Sequence, residues 1–239
     1  MKTACVTGAD RGLGLALAHS LLEAGYRVFA GRYDYSWKEL DRLAEQYPQQ
    51  LIPLELNVAD ERSVREAADA IGSHTDQLDF LINNAAVLGD IQHTVHDALD
   101  YEEMLQVYNV NALGPLRMTQ ALLPLVMRGE KKLIVNISSE AGSVGECDWR
   151  TAWYAYGMSK AALNMQSAII HNTIMPDGGQ VLVLHPGWVK TYMEGHFNEA
   201  AELTAEQSTA IILDRIRDHK QYQGEKPAYL DPAGRILSW

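Results

Sequence analysis

Short runs of strand-forming residues alternate along the chain with longer segments in which apolar residues recur at helical spacing. The short runs are Thr3–Thr7, Arg27–Gly31, Leu51–Leu56, Phe80–Asn83, Lys132–Ser138 and Gln180–His185, and each predicts a β-strand. The helical segments are Leu15–Ala24, Trp37–Tyr47, Glu61–Ile71, Glu102–Met127, with a break near Gly114 and Pro115, and Ala155–Asn172. Strands that alternate with helices in this way are typical of βαβ units, whose strands are parallel.

Two of the predicted strands are apolar without interruption, at Leu133-Ile134-Val135 and at Val181-Leu182-Val183-Leu184. A strand needs apolar side chains on both faces when helices cover both faces of the sheet. The pattern therefore predicts an α/β fold with a parallel sheet between two helical layers. No repeat, low-complexity tract or linker divides the chain, so residues 1–239 are expected to form a single domain.

The charge balance limits the classes of partner. The chain has 31 acidic and 20 basic residues, a net charge of −11 and a pI of about 5.1, which disfavours binding to nucleic acid or to an anionic membrane. The apolar stretches Met1–Val6 and Ala121–Met127 are too short for a signal peptide or a membrane span. We expect a cytoplasmic protein.

Cysteine and histidine positions give no indication of a metal site. Cys5 and Cys147 are the only cysteines, and they provide neither a disulfide framework nor metal-ligand spacing. His93 and His96 have helical spacing but lack an evident third ligand, so no metal is expected.

Three glycines, Gly8, Gly12 and Gly14, follow the first predicted strand and open the first predicted helix, with Leu13 between the last two. This is the context of a dinucleotide-binding loop. Small residues let the backbone approach a pyrophosphate, and the helix N-terminus supplies unpaired N–H groups. The spacing is Gly-x-x-x-Gly-x-Gly, which differs from the commoner Gly-x-Gly-x-x-Gly.

A tyrosine and a lysine, Tyr156 and Lys160, are four residues apart on a predicted helix and so share one face. The ammonium group is expected to lower the pKa of the phenol from its ordinary value of about 10. Such a phenol can give a proton to a carbonyl oxygen, or take one from an alcohol, while a hydride moves. Tyr154 is the neighbouring alternative, but no lysine follows it one helical turn later.

Together these motifs resemble the short-chain dehydrogenase/reductase family, from Lys2 to Trp239. Asn83-Asn84-Ala85-Ala86 is similar to the family's Asn-Asn-Ala-Gly segment, and Asn136-Ile137-Ser138-Ser139 is similar to its serine strand. Pro186-Gly187 is similar to the turn after its sixth strand. The resemblance implies a doubly wound Rossmann fold with seven parallel strands in the order 3-2-1-4-5-6-7. It also implies an NADP(H)-dependent oxidoreductase that acts on a small ketone, aldehyde or alcohol, and a homodimer or homotetramer.

The resemblance also implies roles for individual residues. Tyr156 is the acid/base, Lys160 lowers its pKa and binds the nicotinamide ribose, Ser139 orients the carbonyl oxygen, and Asn111 anchors a proton-relay water. The implied cofactor-binding residues are Gly8, Arg11, Gly12, Leu13, Gly14, Arg32, Asn57, Val58, Asn84, Tyr156, Lys160, Pro186, Val189 and Thr191.

Several of these assignments have neighbouring alternatives. Ser138 competes with Ser139, although alternation along a strand sends their side chains apart. Asn109 competes with Asn111, which has the family's spacing to Gly114. Asn83 and Asn84 have two interpretations. Their side-chain amides either bind the strand to a neighbouring loop or contact the cofactor directly, and the first is at least as good as the second.

The predicted cofactor choice depends on two arginines. In the family, an acidic residue at the end of the second strand binds the NAD ribose, whereas a basic residue meets the 2′-phosphate of NADP. That position is Arg32, and Arg11 in the glycine loop adds a second cation. The expected cofactor is therefore NADP(H). Asp34 would favour NAD if the register slipped.

Tyr156 follows Ser139 by seventeen residues, a few more than is usual in the family, and the extra segment carries Trp149 and Trp153. With the closing Asp231-Pro232-Ala233-Gly234, it is similar to the branch that contains the C-factor signalling proteins and the sniffer-type carbonyl reductases. Residues 188–204 correspond to the family's substrate loop and include Tyr192, Met193 and Phe197. If these aromatic residues line the pocket, the carbonyl compound is apolar or aromatic. A dinucleotide-binding signalling protein is the alternative function.

Overall fold

The computed structural model describes residues 1–239, and its seven strands form one sheet. The strands are β1 (Thr3–Val6), β2 (Arg27–Arg32), β3 (Leu51–Glu55), β4 (Phe80–Asn83), β5 (Leu133–Ile137), β6 (Gln180–Leu184) and β7 (Ala228–Leu230). Their order is 3-2-1-4-5-6-7 and all neighbouring pairs are parallel, which confirms the predicted doubly wound Rossmann fold.

Helices cover both faces of the sheet. They are α1 (Gly12–Glu23), α2 (Glu39–Gln46), α3 (Glu61–His74), α4 (Tyr101–Tyr108), α5 (Gly114–Val126), α6 (Tyr154–Ile174) and α7 (Ala205–Arg217). Successive strand side chains point to opposite faces, so Val6 packs in the core beneath α1 and α7, whereas Cys5 packs in the core beneath α3 and α5. The two cores contain 23 and 20 buried residues, which is why the central strands are apolar throughout.

The hydrophobic pattern misplaced some elements. The predicted helix over Glu102–Met127 is divided by a π-helical turn at Asn109–Leu113, just before the break expected at Gly114. Helix α7 was not predicted, because Ser208 and Thr209 occupy part of its buried stripe and weaken the apolar periodicity. Strand β7 has three residues, which is too few for a periodic signal. No helix is both long enough and apolar enough to span a bilayer.

A buried chain of amide and hydroxyl groups fixes the middle of the sheet. Asn83 donates to the Asn136 side-chain oxygen at 2.8 Å, and Asn136 donates to Ser167 Oγ on α6 at 2.8 Å. These bonds hold β4, β5 and α6 together beside the boundary between β1 and β4, where the strand order reverses. In open α/β sheets, the crevice outside the carboxyl ends of the strands at this point is the usual ligand site.

Candidate active site

One cavity of about 1350 Å³ lies over the carboxyl ends of the central strands. Its wall includes the glycine loop at one end and Ser139, Tyr156 and Lys160 deeper inside. Of the residues predicted from sequence to bind the cofactor, this wall contains Gly8, Arg11, Gly12, Leu13, Gly14, Asn57, Val58, Asn84, Tyr156, Lys160, Pro186, Val189 and Thr191. The structure therefore brings most of the predicted nucleotide and catalytic residues onto one surface, whereas Arg32 lines a neighbouring cavity and Asn111 is fully buried outside the wall.

The glycine loop approaches its neighbours too closely for side chains. A Cβ on Gly14 would lie 2.0 Å from the Gly8 carbonyl oxygen, and a Cβ on Gly8 would lie 2.8 Å from the Ala85 Cα. Asn84 closes the loop, because its amide donates to the carbonyl oxygens of Thr7 at 2.9 Å and Gly8 at 3.1 Å. The Asn84 amide is therefore engaged with the protein backbone, which is the structural role considered for it above. The loop forms a cradle of exposed backbone at the N-terminus of α1.

Both arginines at the adenosine end already have acidic partners. Arg11 Nη1 lies 2.8 Å from Asp10 Oδ2 and 3.5 Å from Asp34 Oδ2. Hydrogen bonds from Ser36 and the charge of Arg11 hold the pKa of Asp34 below its ordinary value. A phosphate at this site would therefore compete with carboxylates for Arg11.

Arg32 ends β2 on the wall of a smaller neighbouring cavity of about 620 Å³. Its guanidinium pairs with Asp41 and stacks 4.1 Å from the Tyr35 ring centre, while its Nε is buried without a partner. Asn57 lies on both cavity walls, and its side-chain oxygen accepts from the Ala59 amide at 3.0 Å. Arg32 is thus adjacent to the large cavity, with donor capacity still free.

The serine and tyrosine alternatives occupy different surroundings. Ser138 Oγ donates to Asn164 Oδ1 at 2.7 Å and is buried, so it holds β5 to α6. Ser139 caps the short turn after β5, and its hydroxyl interacts with Tyr156. Tyr156 lies on the cavity wall, whereas the hydroxyl of Tyr154 donates to the Thr151 carbonyl at 3.4 Å. This geometry brings Ser139 and Tyr156 together on the cavity side.

Burial controls the ionisation of the Tyr156–Lys160 pair. Lys160 Nζ lies 5.5 Å from the Tyr156 ring centre and donates to the Ile137 carbonyl at 2.8 Å. Burial raises the pKa of Tyr156 to about 12, against the lowering effects of Ser139 and Arg150. Burial also lowers the pKa of Lys160 to about 7. The expected fall of the Tyr156 pKa toward neutrality is therefore not seen in this arrangement, because desolvation outweighs the lowering effects of Ser139 and Arg150.

Asn111 lies in the π-helical turn between α4 and α5. Its amide donates to the Val87 carbonyl at 2.8 Å and to Ser159 Oγ at 3.0 Å, and its oxygen accepts from the Val87 amide at 2.8 Å. The side chain is thus occupied in joining this turn to α6 beside Lys160. Both N–H groups of this amide are used, so a water held here would donate to the second lone pair of the Asn111 side-chain oxygen or to a backbone carbonyl left unpaired by the π-turn.

The segment predicted as the substrate loop closes the cavity at its outer side. Two backbone hydrogen bonds join the ends of this segment. The Lys190 amide donates to the Leu203 carbonyl at 2.8 Å, and the Leu203 amide donates to the Trp188 carbonyl at 3.0 Å. Tyr192 packs on Trp37 with ring centres 4.7 Å apart and on Phe197 at 5.2 Å. Trp149 and Trp153 also line the cavity, so the extra segment faces the site.

Residues 2–202 match the family model for short chain dehydrogenase. The chain belongs to the short-chain dehydrogenase family. This confirms the resemblance inferred from the motifs, and it makes the protein a member of an oxidoreductase family.

Relatives of this short-chain dehydrogenase include a signalling protein and carbonyl reductases, the two kinds of protein named for the expected branch. It is 40% identical over 173 residues to the C-signal of Myxococcus xanthus, an alignment that covers 69% of this chain and 95% of the relative. The NADPH-bound carbonyl reductase from chicken fatty liver has a TM-score of 0.87 and 31% identity, covering 100% of this chain and 99% of the other. The carbonyl reductase Sniffer of D. melanogaster also has a TM-score of 0.87, with 28% identity and full coverage of both chains.

The sequence analysis missed charged residues at the catalytic end of the dehydrogenase cavity. Glu140, Arg150, His185, Asp231 and Arg235 all line it. Arg150 Nη2 donates to Glu140 Oε1 at 2.7 Å, and His185 Nε2 lies 3.9 Å from Glu140 Oε2. A lone arginine between two tryptophans was the available signal for this group. No group of three or more His, Cys, Asp or Glu side chains is placed to bind a metal ion.

Proposed function

We propose that the protein is an NADP(H)-dependent carbonyl reductase that uses Tyr156 as its acid. The observation that carries this proposal is that Ser139, Tyr156 and Lys160 share a cavity wall with the glycine cradle. A hydroxyl can hydrogen-bond a carbonyl oxygen and a phenol can protonate it beside a hydride donor, while a neighbouring amine can bias the ionisation of the phenol. The solved carbonyl reductases with the same fold support this choice of reaction.

The residues present fit a dinucleotide. Gly8, Gly12 and Gly14 place no side chain between the loop backbone and the cavity at a helix N-terminus, where a pyrophosphate is stabilised by N–H groups and the helix dipole. Thr191 lies against Gly12, because a Cβ there would be 3.3 Å from Thr191 Cγ2. When bound, NADPH supplies the hydride that is transferred to the carbonyl carbon. The single domain would then hold both the cofactor and, under residues 188–204, the substrate.

The chain's own residues orient the carbonyl group and provide the proton. Ser139 is placed to donate a hydrogen bond to the carbonyl oxygen. Tyr156 is protonated at neutral pH, because burial raises its pKa to about 12, so its O–H can be transferred to that oxygen. Lys160 lies beside the ring and holds its position through the Ile137 carbonyl. Trp149, Trp153, Tyr192 and Met193 give the cavity an apolar outer wall, which suits an apolar or aromatic carbonyl compound.

The proposal predicts a preference for NADPH over NADH of at least about tenfold in dissociation constant, or about 1.4 kcal/mol. Arg32→Gln should reduce this preference, because it removes a cation beside the cavity whose side chain is 13% exposed and whose Nε has no partner. A glutamine is preferable to an aspartate here, since Asp41 already lies against this side chain. Fluorescence titration of both cofactors measures the two constants.

Arg62→Gln is the matched control for Arg32. Arg62 lines the same smaller cavity, but it is exposed and pairs with Glu66 one helical turn away. Its loss should leave the cofactor preference unchanged. Equal dissociation constants for the two cofactors in the unaltered protein would contradict the assignment of NADPH.

A signalling function is the second candidate, and the 40% identity to the C-signal favours it. Trp153 distinguishes the two functions because its ring lies 6.0 Å from the Tyr156 ring. If the protein is a reductase, Trp153→Ala should raise the Michaelis constant for aromatic ketones several-fold, and Trp153→Phe should restore it. Steady-state kinetics over a panel of aromatic and small aliphatic carbonyl compounds provides the measurement.

If Trp153→Ala leaves the kinetics unchanged, Trp153 does not contribute to the substrate pocket. No turnover of any carbonyl compound, in a protein that still binds NADPH, would favour the signalling function.

We also propose that the protein forms a homo-oligomer. Exposed apolar side chains recur at helical spacing on α4 (Tyr101, Leu105, Tyr108) and on α6 (Met158, Met165, Ile169). These helices are neighbours in the structure. A contiguous exposed apolar surface marks a site of protein association, and a second copy of the chain offers a surface of the same character.

A further inference from the structure

Arg150 is a buried cation that has only part of its hydrogen-bonding capacity satisfied. Its side chain is 6% exposed, and its one ion-pair partner is Glu140. Nε and Nη1 are both buried without a hydrogen-bond partner. Buried charges are normally paired and fully hydrogen-bonded because desolvation is costly. An under-satisfied guanidinium on the wall of this cavity therefore calls for an explanation, and a role in the site is one.

Trp153 connects this cation to the proposed acid. The Arg150 guanidinium carbon lies 4.2 Å from the Trp149 ring centre and 5.7 Å from that of Trp153. The Trp153 ring in turn meets the Tyr156 ring edge-on, with centres 6.0 Å apart. Trp153 has φ of 72°, a left-handed conformation that costs a bulky residue about 1–3 kcal/mol. The fold thus tolerates strain at the residue that lies between Arg150 and Tyr156.

Other charged groups face the same region from several elements. Glu140 follows β5, His185 follows β6, Asp231 follows β7, and Lys160 lies on α6. Burial lowers the pKa of His185, against the raising effects of Glu140 and Asp231, so this group is neutral near pH 7.

Two further groups complete these surroundings. Tyr229 on β7 donates to the Ser139 carbonyl, and Glu146 lies on the extra segment, paired with Arg235 at 3.8 Å. Lys160 has a pKa of about 7 and is only partly charged at neutral pH. Arg150 keeps its charge throughout. Arg150 is therefore the buried permanent cation of this cluster, with one carboxylate to offset it directly, whereas the Arg235 side chain is 64% exposed.

We propose that Arg150 is a positioning residue of the catalytic centre, a buried cation that stabilises the negative charge left on Tyr156 when Tyr156 gives up its proton. This inference rests on the proposed function, because it takes Tyr156 as the acid. Arg150 acts through space and through the Trp153 ring, and it does not contact the reacting atoms. Its unpartnered N–H groups leave a positive potential in a low-dielectric site, where charges interact more strongly than in water.

The proton balance shows when this charge matters. During reduction the Tyr156 O–H bond breaks, its proton joins the carbonyl oxygen, and the electron pair stays on the phenol oxygen. The hydride from NADPH joins the carbonyl carbon, which completes the alcohol. A proton from solvent then restores the phenol. Between these events Tyr156 is a phenolate, and burial alone would make that form costly.

Replacing Arg150 by methionine removes the charge and keeps an apolar stem against Trp149. Reduction needs the protonated phenol, so the rate of reduction falls as the pH rises through the Tyr156 pKa. Alcohol oxidation needs the phenolate, so the rate of oxidation rises over the same pH range. The charge of Arg150 lowers the pKa of Tyr156, so its loss should move both midpoints to higher pH. The pH dependence of kcat and of kcat/KM measures this shift in both directions. Ultraviolet titration of tyrosinate, with the Tyr156→Phe protein subtracted, measures it without turnover.

Three further variants separate charge from structure. Arg150→Lys keeps a cation and should restore most of the original midpoint. Glu140→Gln removes the carboxylate that offsets Arg150, so the midpoint should move in the opposite direction, to lower pH. Arg235→Met is the matched control: this cation is on the same cavity wall, but its side chain is 64% exposed and therefore screened by solvent. Its removal should leave the midpoint unchanged.

A purely structural Glu140–Arg150 pair would give a different pattern. Arg150→Met and Glu140→Gln would then both lower kcat and the melting temperature while the pH midpoints stay in place, and that result would overturn the inference. If Arg150→Met does not fold, the Glu140→Gln midpoint still decides, because an unmoved or upward midpoint contradicts the inference. Full activity in Tyr156→Phe would instead refute the proposed function. If Tyr156→Phe is inactive but the pH midpoints of Arg150→Met and Glu140→Gln do not move, only the role of Arg150 is refuted and the proposed function stands.

Discussion

Replacing Tyr156 by phenylalanine is expected to lower the rate of carbonyl reduction by at least about 10², the low end of what a positioned acid contributes. The ring is buried and packs on Trp153, and phenylalanine keeps that packing while removing only the hydroxyl. The affinity for NADPH should therefore remain nearly unchanged. Single-turnover NADPH oxidation measures the chemical step, and fluorescence titration measures the cofactor affinity.

Tyr154→Phe is the control for this experiment. Tyr154 also lies in the first turn of α6, but its hydroxyl bonds the Thr151 backbone and it is absent from the cavity wall. Its loss should leave the rate close to that of the unaltered protein. A Tyr156→Phe protein that reduces a good substrate at the original rate would show that another group supplies the proton.

The Tyr156 and Ser139 assignments show what local sequence can predict about this site. Tyr156 and Lys160 are separated by one helical turn, so their shared face follows from the helix alone. The resemblance to the family's serine strand selects Ser139, whereas alternation says only that the side chains of Ser138 and Ser139 point apart. The structure places Ser138 against Asn164. The central strands were also predictable from local sequence, because parallel strands that are buried on both faces are continuously apolar. The catalytic roles themselves stay predictions until the substitutions are made.

The charged surroundings could not be predicted in the same way. Arg11 meets Asp34, Arg32 meets Asp41 and Arg150 meets Glu140 across turns whose path depends on the whole fold. Sequence alone therefore presented Arg11 and Arg32 as free cations facing a phosphate. The pKa of Tyr156 was also not predictable from local sequence. The spacing of Tyr156 and Lys160 indicated a lowered phenol pKa, whereas burial, which depends on tertiary packing, raises it.

Gly14→Ala is expected to impair both the fold and cofactor binding, because the added Cβ would lie 2.0 Å from the Gly8 carbonyl oxygen and 2.6 Å from Asn84 Nδ2. A backbone atom cannot rotate away, so α1 or the loop after β1 must shift. Overpacking of this kind costs about 1–3 kcal/mol, which lowers the melting temperature of a chain this size by about 2–12 °C. The same shift displaces the backbone N–H groups that the pyrophosphate would meet. NADPH affinity should fall by at least about tenfold, or about 1.4 kcal/mol.

Gly72→Ala provides the matched comparison, since Gly72 is also a helical glycine but a Cβ there meets no atom within 4 Å. In an open helix position, alanine is favoured over glycine by about 1 kcal/mol, so this variant should melt at a slightly higher temperature and bind NADPH normally. Thermal unfolding and fluorescence titration of both variants test the pair. If Gly14→Ala binds NADPH as tightly as Gly72→Ala does, the loop at the start of α1 does not hold the pyrophosphate, and the cofactor would have to be placed elsewhere along the cavity.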